Sequence, residues 1–284
     1  MYTYSHTQGL ESLLALNAAV HGNHPDLTAD QSQKNIEDNI VRLGKVKSFE
    51  KTSLKGGALT WTTFGSGLQI TTDGFIITAA HVIEDWLDDW KRLELNKKDY
   101  PQESDWLNYI QDQYAVVYPV NGGIFRFPLD VSFHQYDHHH DVALVKIISG
   151  NSPRPILFKH EEVSENYLWV SKKITSLNRN NYELSLVSDS GRIRNASISG
   201  KCFDDDGREW YRQDVFNTSI IADGGDSGCP IVSESGSLLG ITISAERIEP
   251  PPSKKGYAGC AKIKYAFNLA KRAVDEETRK LLQY

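Results

Sequence analysis

The sequence predicts a mainly β fold, with helices confined to its two ends and to one insertion. Short segments of alternating or continuous apolar residues recur from about residue 58 onward, and turn signals such as Thr72-Asp73-Gly74 separate them. Thirteen Tyr, ten Phe and six Trp residues suit a β-rich interior. Many short strands of this kind favour a β-barrel or a β-sandwich over a parallel α/β sheet.

The N-terminal part of the chain has apolar residues at helical spacing. Residues up to about Gly44 are therefore predicted to be helical. A candidate helix runs from about Ala29 to Leu43, and the side chains of Ile36, Ile40 and Leu43 lie on one face of it. This region is predicted to be a helical extension that precedes the β domain.

The β region begins at about Ala58 and ends in one more helix. The predicted division is a helical N-terminal extension at 1–57 and a β domain at 58–284, which closes with a C-terminal helix at about 268–282. The predicted strands are short and are flanked by turn residues. They are Leu59–Thr63, Leu68–Thr72, Phe75–Thr78, Tyr114–Pro119, Gly123–Phe127, Val142–Ile148, Leu168–Val170, Glu183–Val187, Gly191–Ser199, Pro230–Val232, Leu238–Ser244 and Lys262–Ala266.

An insertion at about 84–113 separates two groups of predicted strands. It holds Trp86, Trp90 and Trp106 among many charged residues. One interpretation is an amphipathic helical excursion whose Trp side chains pack on the domain. The other is a docking surface for a regulatory partner or a substrate, because aromatic side chains are good interface anchors.

Composition narrows the class of protein. A formal net charge of -6 gives no reason to expect nucleic acid as a partner. No apolar run approaches the roughly 20 residues that cross a bilayer, and the N-terminus lacks the features of a signal peptide. Three cysteines cannot form a closed disulfide framework, which favours a reducing compartment. We therefore expect a cytoplasmic protein that binds neither nucleic acid nor membranes.

The segment Gly224–Pro230 places Ser227 between glycines and beside Asp226. Glycines let the backbone bend tightly and leave amide N–H groups free to point at a ligand. A nucleophilic serine also needs a base, and an acid that orients the base. His81 follows an apolar strand and is a candidate base. Asp141 begins a strand that is expected to be buried, where a carboxylate needs a partner such as an imidazole N–H.

Five motifs stand in one order along the chain. They are Gly65-Ser66-Gly67, Thr78-Ala79-Ala80-His81, Asp141-Val142-Ala143-Leu144, Gly225-Asp226-Ser227-Gly228 and Leu239-Gly240-Ile241. With these motifs in this order, the sequence resembles the trypsin-like, chymotrypsin-fold serine peptidases from about Ala58 to the C-terminus. It looks closer to the bacterial HtrA-like and other intracellular-type members than to the digestive enzymes. The resemblance implies two six-stranded antiparallel β-barrels.

Site residues follow from the resemblance, position by position. It implies Ser227 as the nucleophile, His81 as the general base and then acid, and Asp141 as the residue that orients His81. The backbone N–H groups of Gly225 and Ser227 would form the oxyanion hole. The substrate would be a protein or peptide, and no cofactor is implied.

The sequence departs from the family pattern around the nucleophile. Cys229 stands two residues after Ser227, where a glycine is usual, and we expect its thiol to be packed in the interior. No processing site precedes the predicted barrels, so Asp226 is not expected to pair with a newly cut N-terminus. The N-terminal extension is then either a brace or an inhibitory segment that is removed on activation.

The substrate pocket is predicted by counting back from Ser227. Ile221 falls where trypsin carries a carboxylate, and with the small Ala222 it predicts a preference for small or apolar side chains. An unpaired Lys or Arg side chain beside Ile221 would be costly to bury. Asp223 would reverse this preference if the loop were shifted. The strand of Ile243, Ser244 and Ala245 is expected to pair with the extended substrate.

His138-His139-His140 invites a metal hypothesis, but consecutive side chains on an extended chain diverge and rarely close one tetrahedral site. A solvated loop that leads into Asp141 is the simpler interpretation, and no metal is predicted.

Three functions are consistent with these observations. The leading one is a serine endopeptidase that acts through an acyl-enzyme. The alternatives are a protease-fold binding or scaffold module whose triad is silent, and a peptidase that is latent until a partner or a cleavage reorganises the oxyanion loop.

Overall fold

A computed structural model describes residues 14–16, 18–19, 22–50, 58–84, 114–120, 123–147, 157–164, 170–177, 184–203, 209–247 and 256–281 of the chain. Residues 14–16 and 18–19 are helical, and the two helices with defined bounds are α1, Ala29–Asp38, and α2, Ile263–Leu281. The first group of strands is β1 Ile40–Glu50, β2 Ala58–Gln69, β3 Phe75–Thr78, β4 Tyr114–Val120, β5 Gly123–Asp137 and β6 Val142–Ile147. The second group is β7 Lys159–His160, β8 Val170–Leu177, β9 Leu184–Gly191, β10 Ile193–Phe203, β11 Glu209–Ala222, β12 Pro230–Ser233, β13 Ser237–Arg247 and β14 Gly256–Lys262.

The first group of strands forms a closed antiparallel barrel. Its order is β1-β2-β3-β6-β5-β4, and β4 pairs with β1 to complete the circle. Every residue of β3 and β6 is buried. The sequences of these two strands are almost continuously apolar, which fits their burial. A strand that is covered on both faces has no exposed face on which polar residues could alternate with apolar ones. The charge of Lys146 in β6 is compensated by Asp73, whose Oδ2 lies 3.5 Å from its Nζ.

The second group forms a curled sheet with the order β10-β11-β14-β13-β12-β8-β9. The two-residue strand β7 adds to β13 in parallel, and the other pairings are antiparallel. The mainly β architecture with two antiparallel sheets is therefore confirmed. The second sheet differs from the predicted six-stranded barrel, because it contains eight strands of which one is parallel.

Strand β1 corrects the prediction that residues 1–57 form a helical extension. Helix α1 ends at Asp38, where the Asn39 N–H and side chain bond to the carbonyls of the last helical turn, at 3.1 and 2.7 Å. The Asn39 carbonyl then accepts a bond from the Gln69 N–H at 3.0 Å, which starts the pairing with β2. Ile40 and Leu43 are buried in the barrel, so their helical spacing was misleading. The barrel starts at Ile40 and not at about residue 58.

The predicted helix from Ala29 to Leu43 is confirmed only as far as Asp38, and this helix, α1, packs against the second sheet. Thr28 and Gln31 form a capping box at its N-terminus, which satisfies two amide groups that the helix leaves unpaired. The Ser32 hydroxyl donates to the Gly236 carbonyl at 2.6 Å and accepts from the Lys159 N–H at 2.8 Å. The helix is therefore fixed to the turn that precedes β13.

Other elements differ from the sequence prediction in part. The long strand β11 is absent from the sequence prediction, and it carries Arg212, Ile221 and Ala222, which are described with the site below. The chain at 262–266 is not a strand, because β14 ends at Lys262 and α2 begins at Ile263. The insertion with Trp86, Trp90 and Trp106 lies outside the described residues. Among the described residues, no helix is long and apolar enough to cross a lipid bilayer.

Candidate active site

The structure brings His81, Asp141 and Ser227 together at the junction of the two sheets. His81 lies on a single 3₁₀ turn, Ala80–Ile83, directly after β3. Its Nδ1 lies 2.8 Å from Asp141 Oδ2, and its Nε2 lies 2.8 Å from Ser227 Oγ. The His81 backbone N–H also donates to Asp141 Oδ1 at 2.9 Å. The imidazole is therefore held between an acid and a hydroxyl by both ring nitrogens.

A tight turn before β6 positions Asp141. The Asp137 carboxylate accepts bonds from the backbone N–H groups of His139 and His140, at 3.0 and 3.3 Å, and contacts His140 Nδ1 at 2.8 Å. Asp141 then adopts a left-handed backbone conformation with φ 54, which aspartate tolerates better than most residues. Its side chain points inward and is only 1% exposed. The described residues contain no group of three His, Cys, Asp or Glu side chains that could hold a metal ion.

Arg212 is a second partner of Asp141 that the sequence motifs did not predict. It lies on β11, and its Nη2 is 2.5 Å from Asp141 Oδ2. Its Nη1 donates to the His138 carbonyl at 3.3 Å, so the guanidinium contacts both the turn and the carboxylate. Arg212 is 8% exposed and Asp141 is 1% exposed, which makes this a buried ion pair.

The pKa of His81 is raised above its ordinary value. Burial lowers the pKa, but the charge of Asp141 and its hydrogen bond to the ring raise it by more. The nearby Arg212 guanidinium opposes protonation of the ring, and Glu84 favours it. A raised pKa in the folded state means that protonated His81 stabilises the fold at low pH. This contribution is lost as the pH rises through the folded-state pKa.

Hydrogen bonds between Asp223 and Asp226 shape the loop that contains Ser227. The Asp226 N–H donates to the Asp223 carbonyl at 3.1 Å, and Asp226 Oδ2 accepts from the Asp223 N–H at 2.8 Å. Gly225 has a φ of 95, in the left-handed region that favours glycine. Among the described residues, the amide N–H groups of Gly225 and Ser227 have no hydrogen-bond acceptor. These two donors are therefore available to a ligand.

Arg42 hydrogen-bonds to the loop of Ser227, and the sequence motifs do not predict this contact. Arg42 belongs to β1 and is 8% exposed. Its Nη1 donates to the Gly225 carbonyl and, at 2.6 Å, to Ser66 Oγ. Burial lowers the pKa of Arg42, while Cys229 and Asp226 act in the opposite direction. The Cys229 side chain is fully buried, as expected from the sequence.

The Gly65-Ser66-Gly67 motif packs directly against the loop of the nucleophile. The Ser66 N–H donates to the Ser227 carbonyl at 2.7 Å, and the Ser66 carbonyl accepts from Thr78 Oγ at 2.7 Å. A Cβ atom at Gly65 would lie 2.8 Å from the Ser227 carbonyl oxygen. A Cβ atom at Gly228 would lie 1.8 Å from the Ser66 carbonyl oxygen. Close approach of the two backbones explains both glycines.

The family follows from a comparison with protein-family models. Residues 65–241 match the model described as "Trypsin-like peptidase domain", which is more than half of the chain. The chain belongs to the trypsin-like peptidase family. No curated protein sequence matches it significantly.

Solved structures of trypsin-like peptidases share its fold. The MamO protease domain from Magnetospirillum magneticum is 17% identical over 82% of this chain and 96% of its own, with a TM-score of 0.51. The Rv3671c protease from M. tuberculosis, in its active form, is 18% identical over 88% of this chain and 87% of its own, with a TM-score of 0.51. The HtrA-type protease AlgW with a decapeptide is 14% identical over 88% of this chain and 68% of its own, with a TM-score of 0.51. The chymotrypsin-type fold and the resemblance to HtrA-like members are confirmed.

The predicted pocket residues of this trypsin-like peptidase lie at the end of β11 that leads to Ser227. Ile221 is half-buried and pairs with Tyr257 on β14, and the next residue, Ala222, is buried and pairs with Gly256. Asp223 lies outside the strand and is exposed. Its Oδ1 accepts a bond from the following N–H, that of Gly224, at 2.8 Å.

The predicted substrate strand lies on β13. One edge of β13 pairs with β14 from Gly240 to Arg247. On the other edge the pairing with β12 ends at Ile241, and Thr242 exchanges bonds with Gly228 and Cys229 at 2.7 and 2.8 Å. Beyond that point no described strand pairs with this edge at 243–245. Ile243 is buried, Ser244 is half-buried, and the backbone of Ala245 pairs with that of Ala258 on the β14 side.

Proposed function

We propose that this trypsin-like peptidase is a serine endopeptidase that hydrolyses peptide bonds of protein substrates through an acyl-enzyme. The observation that carries the proposal is the pair of 2.8 Å contacts that joins His81 to Ser227 and to Asp141. Such an arrangement lets a hydroxyl lose its proton to the imidazole as the oxygen attacks a carbonyl carbon.

Each step of the proposed reaction uses a named group. Ser227 Oγ bonds to the carbonyl carbon, and its proton passes to His81 Nε2. Asp141 stabilises the imidazolium through Nδ1–H. The Gly225 and Ser227 N–H groups bind the oxyanion, and the loss of one such donor costs roughly 3 kcal/mol in related enzymes. His81 then protonates the leaving amine. A water molecule, activated by the same ring, cleaves the acyl ester and restores Ser227.

Substrate binding in this proposal uses the open edge of β13 and the end of β11. An extended peptide would add a strand beside 243–245, because that edge has no partner strand among the described residues. The side chain before the cut would then meet Ile221 and Ala222, where a small or apolar group is favoured over a cation.

Covalent labelling tests the nucleophile. The purified full-length chain is expected to react with a fluorophosphonate probe, and Ser227→Ala is expected to abolish labelling without changing the thermal melt. Ser188→Ala removes an exposed hydroxyl on β9 and should label like the wild type. Labelling that persists in Ser227→Ala would exclude the proposal. A wild-type chain that labels only after truncation or with a partner would favour the latent form.

A library of peptides tests the pocket. Cleavage is expected after small or apolar residues, and Ile221→Asp is expected to favour cleavage after Lys and Arg. A charge-assisted hydrogen bond contributes about 1.5–3 kcal/mol, which corresponds to about a tenfold to hundredfold change in selectivity. Wild-type cleavage mainly after Lys or Arg would contradict the role given to Ile221.

A further inference from the structure

Arg212 contacts the carboxylate that orients the proposed base, although it lies on the opposite sheet. We propose that Arg212 is a positioning residue that fixes the orientation of the Asp141 carboxylate and so prepares His81 for catalysis. The inference deepens the proposed function and rests on it for its catalytic consequence. Its structural basis is the geometry of the described residues alone.

The contacts of Asp141 leave its carboxylate little freedom. Oδ1 accepts from the His81 backbone N–H, and Oδ2 lies between His81 Nδ1 and Arg212 Nη2. When His81 is neutral, Arg212 is the only full positive charge within hydrogen-bonding distance of Asp141 among the described residues. A buried carboxylate is costly without a compensating charge. Arg212 therefore compensates the Asp141 carboxylate and holds its orientation before the reaction begins.

Arg212 also joins the two halves of the site. Asp141 and the His138 carbonyl belong to the first barrel, whereas Arg212 belongs to β11 of the second sheet. The next residue, Gln213, donates its N–H to the His139 carbonyl at 3.3 Å. The same strand continues to Ala222 and then into the loop of Ser227. One strand thus supports the acid at one end and leads to the nucleophile at the other.

The charges around His81 predict the direction in which the pKa of His81 changes when Arg212 is replaced. Asp141 faces the His81 ring from the turn before β6, and Arg212 faces the ring from β11. Glu84 directly follows the 3₁₀ turn that carries His81. Both carboxylates favour protonation of the ring, and Arg212 opposes it. Without Arg212, His81 holds its proton more tightly. This depletes the active form, in which the His81 ring is neutral, so the acid limb of the rate moves to higher pH.

The test compares Arg212→Met, which removes the charge, with Arg212→Lys, which keeps it without the guanidinium fork. Arg192→Met is the matched control, because Arg192 is exposed and lies between β9 and β10. Two readouts are taken on the full chain. The first is an NMR titration of the His81 imidazole, assigned by comparison with His81→Gln. The second is kcat and KM for a peptide substrate as a function of pH.

For Arg212→Met we expect the titration midpoint of His81 and the acid limb of kcat/KM to rise by about one pH unit. We also expect kcat at its plateau to fall about 10- to 100-fold, with KM nearly unchanged. Arg212→Lys should retain the wild-type midpoint and recover part of kcat. Arg192→Met should match the wild type in both readouts. A purely structural role for Arg212 would lower stability without moving the midpoint.

A folded Arg212→Met with the wild-type midpoint and kcat would overturn the inference. If Arg212→Met does not fold, the measurements on Arg212→Lys decide. In that variant, a wild-type titration midpoint of His81 together with a lowered kcat supports the inference, and an unchanged kcat overturns it. If the wild-type chain hydrolyses no peptide, the proposed function fails. The NMR titration then still decides whether Arg212 controls the protonation of His81.

Discussion

A kcat about 10⁴-fold lower is the expected result of replacing Asp141 by asparagine, as in serine peptidases with the same arrangement. Three donors converge on the two oxygens of Asp141: the His81 backbone N–H, His81 Nδ1–H and Arg212 Nη2. Asparagine offers one acceptor oxygen, so its NH₂ group must face a donor or force the ring into the wrong tautomer. The measurement is kcat with a peptide substrate at the pH optimum.

The same replacement is also expected to destabilise the fold. It leaves the buried Arg212 without its counter-charge, which costs about 3 kcal/mol or more in the free energy of unfolding. Urea unfolding measures this term. Asp26→Asn removes an exposed carboxylate and serves as the control for both measurements. An Asp141→Asn variant with wild-type stability and activity would show that neither the ion pair nor the contact with His81 matters.

Replacing Gly228 by alanine is expected to lower the free energy of unfolding by about 3 kcal/mol or more. Its φ of 87 disfavours a side chain, and the new Cβ would lie 1.8 Å from the Ser66 carbonyl oxygen and 2.7 Å from Thr78 Oγ. These neighbours belong to the barrel and cannot move without disrupting it. The loop must shift instead, and we expect peptide hydrolysis to fall with it.

Gly224→Ala is the matched control for this prediction. Gly224 lies in the same loop, and a Cβ atom built there would have no neighbour within 4 Å. Its stability should remain within about 0.5 kcal/mol of the wild type. Equal stabilities of the two variants, measured by urea unfolding, would contradict the close packing of the loop on β2.

The three residues of the proposed triad could be predicted from sequence because the chemistry constrains short local patterns. His81 and Asp141 each adjoin a strand with continuous apolar residues, and Ser227 lies among glycines that a close backbone approach requires. In each case the signal and its structural cause lie within a few residues. Patterns of this kind can be recognised without knowledge of the tertiary fold.

The two arginines of the site could not be predicted in the same way. Arg42 stands between Val41 and Leu43 and Arg212 between Tyr211 and Gln213, with nothing local that identifies the distant partner. An arginine in a strand is usually exposed, whereas these two are buried. Their partners come from other strands, so only the folded structure reveals them.

The sequence of strand β1 also fits a helix because two periodicities coincide there. Ile40 and Leu43 are three residues apart, which fits a helical face. They are also buried strand residues in a closed barrel. The stop signal is Asn39, a helix C-cap that also begins the pairing with β2. A single asparagine is a weak signal beside an apolar pattern, so the sequence predicts a boundary at about residue 58, later than the observed one.

The contact of Arg42 with the Gly225 carbonyl spans 183 positions of the chain. A fragment that begins at Ala58 would keep His81, Asp141 and Ser227 and would lose the cation that contacts the Gly225 carbonyl. During synthesis the strand that supplies this cation emerges before the loop that needs it. The loop gains this support only when the two have met, so we expect peptide hydrolysis to begin only after β1 has packed against that loop.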